Sequence, residues 1–145
     1  MKIELKLSGA DDAHIIKNLW PLYQHETSEF ELLKPNSHGV FGVEDSVKTL
    51  SEHGPGPWWA DSEALFPYLI LVDGAPAGFN LIAGKPRLWK GAQGDFCVEE
   101  FFVLHAYRGL GVAERAATLG FQAHRGLWEV FTWPNNPRAI AFWRR

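Results

Sequence analysis

Residues 101–113 read Phe-Phe-Val-Leu-His-Ala-Tyr-Arg-Gly-Leu-Gly-Val-Ala, and no other stretch restricts the fold as tightly. A β-favouring run over residues 95–104 feeds a turn with two glycines, and a small-residue amphipathic segment follows at once. The run is apolar on both faces apart from Glu99 and Glu100, the pattern of a central strand. Residues 112–124 place Val112, Ala116, Leu119 and Ala123 at helical spacing, and Arg125-Gly126 closes the helix. A helix entered through Gly109 and Gly111 starts with unpaired amides at its positive dipole end. Glycines there keep side chains away from an approaching anion. The unit suits a pyrophosphate. Taken alone, the same letters also describe a strand-to-helix turn that merely needs positive φ.

The rest of the chain supplies a sheet for this unit. Residues 2–7 alternate polar and apolar and predict a first strand. Residues 8–12 turn and offer Asp11 as a helix N-cap. Ile15, Ile16, Leu19, Trp20, Leu22 and Tyr23 recur with helical period, and Pro21 should kink or interrupt that helix. Residues 27–42 read as a loop or broken helix. Residues 45–50 suggest a short helix, stopped by Gly54-Pro55-Gly56-Pro57. Strands are expected at 67–72 and 76–83, joined by the hairpin pair Asp73-Gly74. Residues 127–133 predict another strand, and residues 138–145 begin a helix with Asn136 as N-cap. The expected order is β-α-α-β-β-β-α-β-α, a mixed α/β (α+β) fold. No internal repeat or linker interrupts it, so residues 1–145 read as a single domain.

Composition removes several classes of function. The 145 residues are 46% hydrophobic and 21% charged, ample for one core and unlike a disordered chain. A formal charge of −3 argues against general binding to nucleic acid or an anionic membrane. Cys97 is the single cysteine, so an intrachain disulfide is impossible and thiolates alone cannot hold a metal. His38, His53 and His105 lack ligand spacing and read as surface or turn residues, so no metal is expected. No run approaches 18 apolar residues and no early segment reads as a signal peptide, which makes a cytoplasmic protein the expectation. Seven tryptophans and ten phenylalanines predict a core filled mainly with rings.

The glycine turn fits two familiar nucleotide motifs poorly. It has no Gly-Lys-Ser/Thr ending for a nucleoside-triphosphate loop. It has no third glycine for a dinucleotide fold, and Glu129 sits at the wrong end of its strand for the acidic partner. Arg108-x-x-Gly111-x-Ala113 instead resembles the Arg/Gln-x-x-Gly-x-Gly/Ala signature of the GCN5-related N-acetyltransferase (GNAT) superfamily. Residues 136–143, Asn-Pro-Arg-Ala-Ile-Ala-Phe-Trp, resemble its second signature, Asn-x-x-Ala-x-x-x-Tyr. The resemblance is strong from residue 95 onward and looser before it. It implies a mostly antiparallel sheet with splayed fourth and fifth strands and helices on both faces.

The resemblance also implies acetyl-CoA as cosubstrate. Its pyrophosphate would lie on the amides of Gly109, Leu110, Gly111, Val112, Ala113 and Glu114. Its pantetheine arm would pair with Phe101, Phe102 and Val103 as an added strand. Asn136 matches the asparagine that contacts the cofactor, and Arg108 either holds a phosphate or caps the turn. An amine would attack the thioester, with the Val103 backbone N–H as oxyanion donor. Glu99 is the candidate base, acting through water, and Glu100 the alternative, because adjacent strand residues face opposite ways. The acceptor, a small-molecule or peptide amine, would meet Tyr23, Glu26 and Trp58. Two departures stand out. Trp143 occupies the position of the general-acid tyrosine, and an indole N–H cannot replace it; it would pack instead on the thioester end of the cofactor. The family's last two strands would follow Arg145, so either the chain is shortened or a second copy completes the sheet as a homodimer. The alternative to an enzyme is a CoA-binding sensor or interaction module that has lost catalysis.

Overall fold

A computed structural model describes residues 1–49, 54–132 and 134–144. Its elements are β1 (Ile3–Leu7), α1 (Ala13–Thr27), β2 (Leu65–Val72), β3 (Ala75–Gly84), β4 (Phe96–Val103), α2 (Val112–Ala123), β5 (Trp128–Val130) and α3 (Pro137–Trp143). They make a mixed α/β fold around a five-stranded sheet of order β1-β2-β3-β4-β5. The first three pairings are antiparallel and β4–β5 is parallel. The chain divides into two compact units, Met1–Ile16 with Pro57–Val130, and Lys17–Gly56 with Phe131–Arg145.

The first unit holds the whole sheet. Its centre is β3, buried from Ala77 to Gly84, with Phe79, Leu81 and Ile82 wholly inaccessible. The sequence pattern marks residues 95–104 as the central strand, but β4 lies one place off centre. The small and branched residues of β3 permit burial on both faces, which the long apolar run of β4 only imitates. The β2–β3 hairpin turns through Asp73 at φ 50° and Gly74 at φ 81°, both left-handed as a two-residue primed turn requires. The turn is tied to the first strand, since Lys2 N–H donates to Asp73 Oδ1 at 2.7 Å and Asp73 N–H to the Lys2 carbonyl at 2.8 Å.

Helix α2 packs Val112 and Ala116 against Ile70, Val72, Ala77 and Val103, with Ile3, Leu5, Phe101 and Tyr107 at the margin. Its buried face runs through Ala117 and Gly120, while Ala123, expected inside, is exposed. Gly120 explains the rotation. A Cβ there would lie 2.8 Å from Asn80 Nδ2 and 3.1 Å from Ile82 Cδ1, so the helix rests directly on β3. Beyond the last turn of α2, His124 sits among Phe66, Phe96 and Tyr68, with ring centroids 4.3, 5.1 and 5.7 Å away. The Tyr68 hydroxyl hydrogen-bonds His124 Nε2 at 2.7 Å. Trp128 stacks on Phe96 and meets Phe121 edge-on, but these rings are half-buried; among the described aromatic residues the buried core holds only Trp58, Phe79 and Phe102, so the core is mainly aliphatic rather than filled with rings.

Several local expectations are corrected. Helix α1 starts beside Asp12 rather than Asp11, because Ser8, Gly9 and Lys6 all bind the Asp12 carboxylate. Pro21 lies inside an unbroken α1, where the surrounding turns tolerate one missing N–H. The short helix expected at residues 45–50 is absent over 45–49, and Leu50 lies outside the described residues. The Asp45 carboxylate there accepts from Ser37 N–H across the loop, which competes with helix formation. Strand β5 is shorter than expected, ending at Val130, with Trp133 outside the described residues.

In the second unit, Asn36 organises the loop after α1. Its side chain donates to the Glu44 and Val47 carbonyls and accepts from His38 and Val40 N–H. Asn136 caps α3 as predicted, accepting Ala139 N–H at 3.1 Å. Asn135 and Arg138 tie this helix to Phe30 and Glu29.

Burial lowers the pKa of His124 and holds the ring neutral among the aromatics. The unfolded chain then binds more protons than the folded one once pH drops below about 6.5, so stability falls in that range. Urea midpoints at pH 7.5 and 5.5 should differ less in His124→Phe than in the wild-type chain. An equal loss in both would show that His124 contributes nothing to the acid sensitivity.

Candidate functional site

The parallel pairing of β4 with β5 is brief. Phe96 pairs with Trp128, Cys97 with Glu129 and Val98 with Val130, and there it stops. Among the described residues, no strand covers residues 99–103 on that side. The other side of β4 remains on β3, but the register shifts between Leu81 and Ile82, which pair with Glu100 and Val98. Glu99 is therefore the extra residue of a β-bulge. The bulge falls where β5 departs, and a bulge bends its strand and increases the local twist.

The open edge presents specific backbone groups. Leu104 N–H donates to the Ala77 carbonyl on β3 at 2.8 Å, while Gly78 lies opposite Val103. Hydrogen-bonded and non-hydrogen-bonded pairs alternate in an antiparallel ladder. Val103 and Phe101 therefore turn their N–H and C=O groups away from β3, toward the open edge. Phe102 turns its backbone to β3 and buries its ring against Phe79, centroids 5.6 Å apart. Of the three residues expected along the pantetheine, Phe101 and Val103 hold the edge and Phe102 does not. Strand alternation is the signal that separates them.

Beyond β4, a 3-10 turn over His105–Tyr107 leads to Arg108 and the glycines. Gly109 and Gly111 adopt φ 77° and 78°. A Cβ at either would meet no atom within 4 Å, so the glycines are required by conformation and the space above them is open. Gly111 is the N-cap of α2, and no side chain caps the helix. Its first-turn amides keep the anion-binding character expected of such a start. The turn therefore fits a diphosphate. Arg108 Nε donates to the Val103 carbonyl at 2.9 Å, and its guanidinium lies 5.9 Å from the Phe102 ring centroid. These contacts are of the capping and packing kind, one of the two roles weighed for Arg108.

The bulge changes the parity argument for the two glutamates. Simple alternation predicts opposite faces for Glu99 and Glu100, but the extra residue breaks the alternation at that pair. Desolvation raises the Glu99 pKa above the ordinary carboxylate value, and a hydrogen bond from Cys97 opposes the rise. Glu99 still reaches solvent, so it can exchange its proton with water. Cys97 is buried, and its thiol is pushed up to about 12, chiefly by burial and then by the charges of Glu99, Glu129 and Glu100. It is inert as a nucleophile. Glu129, set aside at the sequence level as the wrong acid for a dinucleotide site, accepts from Gln93 N–H at 2.9 Å and from Gly94 N–H, fastening the loop before β4.

The remaining candidates belong to both units. Tyr23 and Glu26 lie on α1 in the second unit, both half-buried, and Tyr23 packs on Trp20 at 5.2 Å. Trp58 is buried in the first unit at 8% exposure, which makes it core filling rather than an exposed wall. Trp143 ends α3 beside Phe142, and the capping bond to Ala139 engages Asn136 Oδ1. No group of three metal-binding side chains occurs among the described residues, and no described helix is long and apolar enough to cross a membrane.

A negative side chain at the glycine turn tests the cradle. Gly111→Asp forces positive φ on a non-glycine residue, at about 1–3 kcal/mol, and repels a diphosphate. CoA affinity by calorimetry should fall at least about 100-fold, some 2.7 kcal/mol, with the circular dichroism spectrum retained. Unchanged affinity would remove the turn from the site.

The Acetyltransferase (GNAT) family model matches residues 19–145. No curated protein matches the sequence. Among solved structures, an acetyltransferase from Thermus thermophilus is similar at TM-score 0.65 and 17% identity, over 99% of this chain and 84% of that one. AAC(6')-Iy, in complex with the bisubstrate analogue CoA-S-monomethyl-acetylneamine, is similar at TM-score 0.63 and 16% identity, over 99% and 88%. The ribosomal-protein-alanine N-acetyltransferase from Brucella melitensis biovar Abortus 2308 gives 0.57 and 19%, over 97% and 88%. At these identities the structures speak to the fold, and the family match covers most of the chain: it belongs to the acetyltransferase (GNAT) family.

Proposed function

We propose that this chain is an N-acetyltransferase domain that moves an acetyl group from acetyl-CoA to a primary amine. One observation carries the reading. The open edge of β4, with Phe101 and Val103 turned outward, runs directly into an uncapped helix start behind Gly109 and Gly111. An extended arm ending in a diphosphate is the ligand shape that satisfies both. The amides of residues 109–114 would hold the diphosphate, the β4 edge would pair with the arm, and Asn136 and Trp143 would add contacts from α3.

The chemistry needs few groups. The amine nitrogen attacks the thioester carbon, the new C–N bond forms, and the C–S bond breaks with its electron pair leaving on sulfur. The Val103 N–H donates to the carbonyl oxygen as negative charge gathers there. Glu99, raised in pKa yet reached by solvent, takes the proton of the incoming ammonium through water. Glu100 is the alternative base. Water protonates the leaving thiolate, since Trp143 offers no titratable hydroxyl. Of the acceptor contacts expected from the sequence, Tyr23 and Glu26 stay as candidates, while buried Trp58 does not. A small-molecule or peptide amine is the acceptor proposed, by analogy with AAC(6')-Iy and its acetylneamine analogue and with the ribosomal-protein-alanine enzyme. We place the reaction in the cytoplasm, in a protein that forms a homodimer and uses no metal. Trp143 favours one second reading, a CoA-binding sensor module without turnover.

Thiol release from acetyl-CoA across a panel of amines separates the two. The enzyme reading expects release with at least one amine, and Glu99→Gln should lower kcat about 100-fold or more. The wild-type rate should rise with pH through the elevated Glu99 pKa, and that limb should vanish in Glu99→Gln. Tight CoA binding with no release on any amine would establish the module instead.

A further inference from the structure

Gly78 on β3 faces Val103 across the β3–β4 ladder. Its backbone is ordinary extended strand, so φ does not demand glycine. The demand is contact. A Cβ at Gly78 would overlap the Phe102 carbonyl oxygen, and would stand 2.9 Å from the Phe102 carbonyl carbon and 3.0 Å from Val103 Cα. All three are backbone atoms, so no side chain can move aside. Gly84, in the same strand pair, differs: a Cβ there first meets Phe66 Cε2 at 3.5 Å, an ordinary contact.

The close approach falls where the register of β3 against β2 also shifts. Gly78 pairs with Ile70 and Pro76 with Leu71, which leaves Ala77 as an extra residue. Ala77 then accepts Leu104 N–H through its carbonyl at 2.8 Å. On the opposite edge, Arg108 Nε holds the Val103 carbonyl at 2.9 Å. Residues 102–104 are thus gripped from both sides. The grip is tight where Val103 offers its N–H to the open edge.

We propose that Gly78 is a positioning residue for the acyl group. Its missing side chain lets β3 draw β4 in, and that contact aims the Phe101 and Val103 backbone groups along the open edge. The proposal rests on the acetyltransferase reading. It predicts that any side chain at 78 pushes the Phe102–Val103 backbone outward, and a shift on the order of 1 Å costs up to about 100-fold in rate.

The test compares Gly78→Ala with Gly84→Ala, using two ligands: acetyl-CoA, and adenosine 3′-phosphate 5′-diphosphate, which has the diphosphate but no pantetheine arm. Calorimetry of Gly78→Ala should show acetyl-CoA weakened at least about tenfold and the nucleotide within about twofold of wild type. Its kcat for the best amine should fall about 100-fold, while Gly84→Ala stays near wild type. Equal weakening of both ligands, unchanged binding and turnover, or loss of the fold by circular dichroism would each overturn the proposal and leave Gly78 to the fold alone. A wild-type chain that binds acetyl-CoA without turnover contradicts the enzyme reading, and the two-ligand comparison still decides the role of Gly78. A wild-type chain that binds neither ligand overturns both.

Discussion

The parting of β4 from β5 is the constraint on which the rest of this structure depends. Three residue pairs join the two strands, and beyond them no described strand covers that edge of β4. An uncovered edge in the middle of a sheet is costly, because its backbone groups lose their partners and attract unwanted strands. Here the open stretch is short, bulged at Glu99, and ends in a turn whose Arg108 covers one of the exposed carbonyls. The rest of this edge leads to a helix start. The fold gives up sheet pairing at the place where an extended ligand can supply it.

Holding that edge still is the task of the surrounding core. Two carboxylates fasten the closed end of the β4–β5 pair. Glu129 binds the amides of Gln93 and Gly94, and Asp95 accepts Leu127 N–H at 2.9 Å while pairing with Lys85 at 3.0 Å. The ring cluster around His124 and Trp128 packs beside them. At the open end, Gly78 and Arg108 grip β4 from its two sides. Helix α2 lies flat on the sheet through Gly120, which fixes the direction in which its N-terminal amides point.

Local chemistry made much of this legible in the sequence. The Asp73-Gly74 hairpin, the Asn136 cap and the start of α2 at Val112 each follow from residues that decide backbone conformation within a few positions. Alternation and apolar runs locate the strands, and helical period locates α1 and α2, for the same reason. The failures are long-range. Asp45 is claimed by Ser37 N–H across a loop, so the helix expected from residue 45 does not form over 45–49. The bulge at Glu99 is a property of two strands together, and single-strand parity cannot express it. The fully buried Asn80, whose amide atoms find no hydrogen-bond partner among the described residues, looks like any surface asparagine in the sequence. Gly78 is equally silent, since its need comes from a neighbouring carbonyl rather than its own φ. At the site, the glycine turn was readable from its letters. Which residues of β4 face the open edge was not, because that depends on the hydrogen-bond phase of the ladder.

The central claim is that one ligand spans the β4 edge and the α2 start together. Residue-resolved amide hydrogen exchange with and without acetyl-CoA tests it most directly. The account predicts that acetyl-CoA slows exchange at Phe101 and Val103 as well as across residues 109–114, and leaves Phe102, already bonded to β3, unchanged. Slowing confined to the glycine turn, with Phe101 and Val103 exchanging as fast as in the free protein, would contradict it.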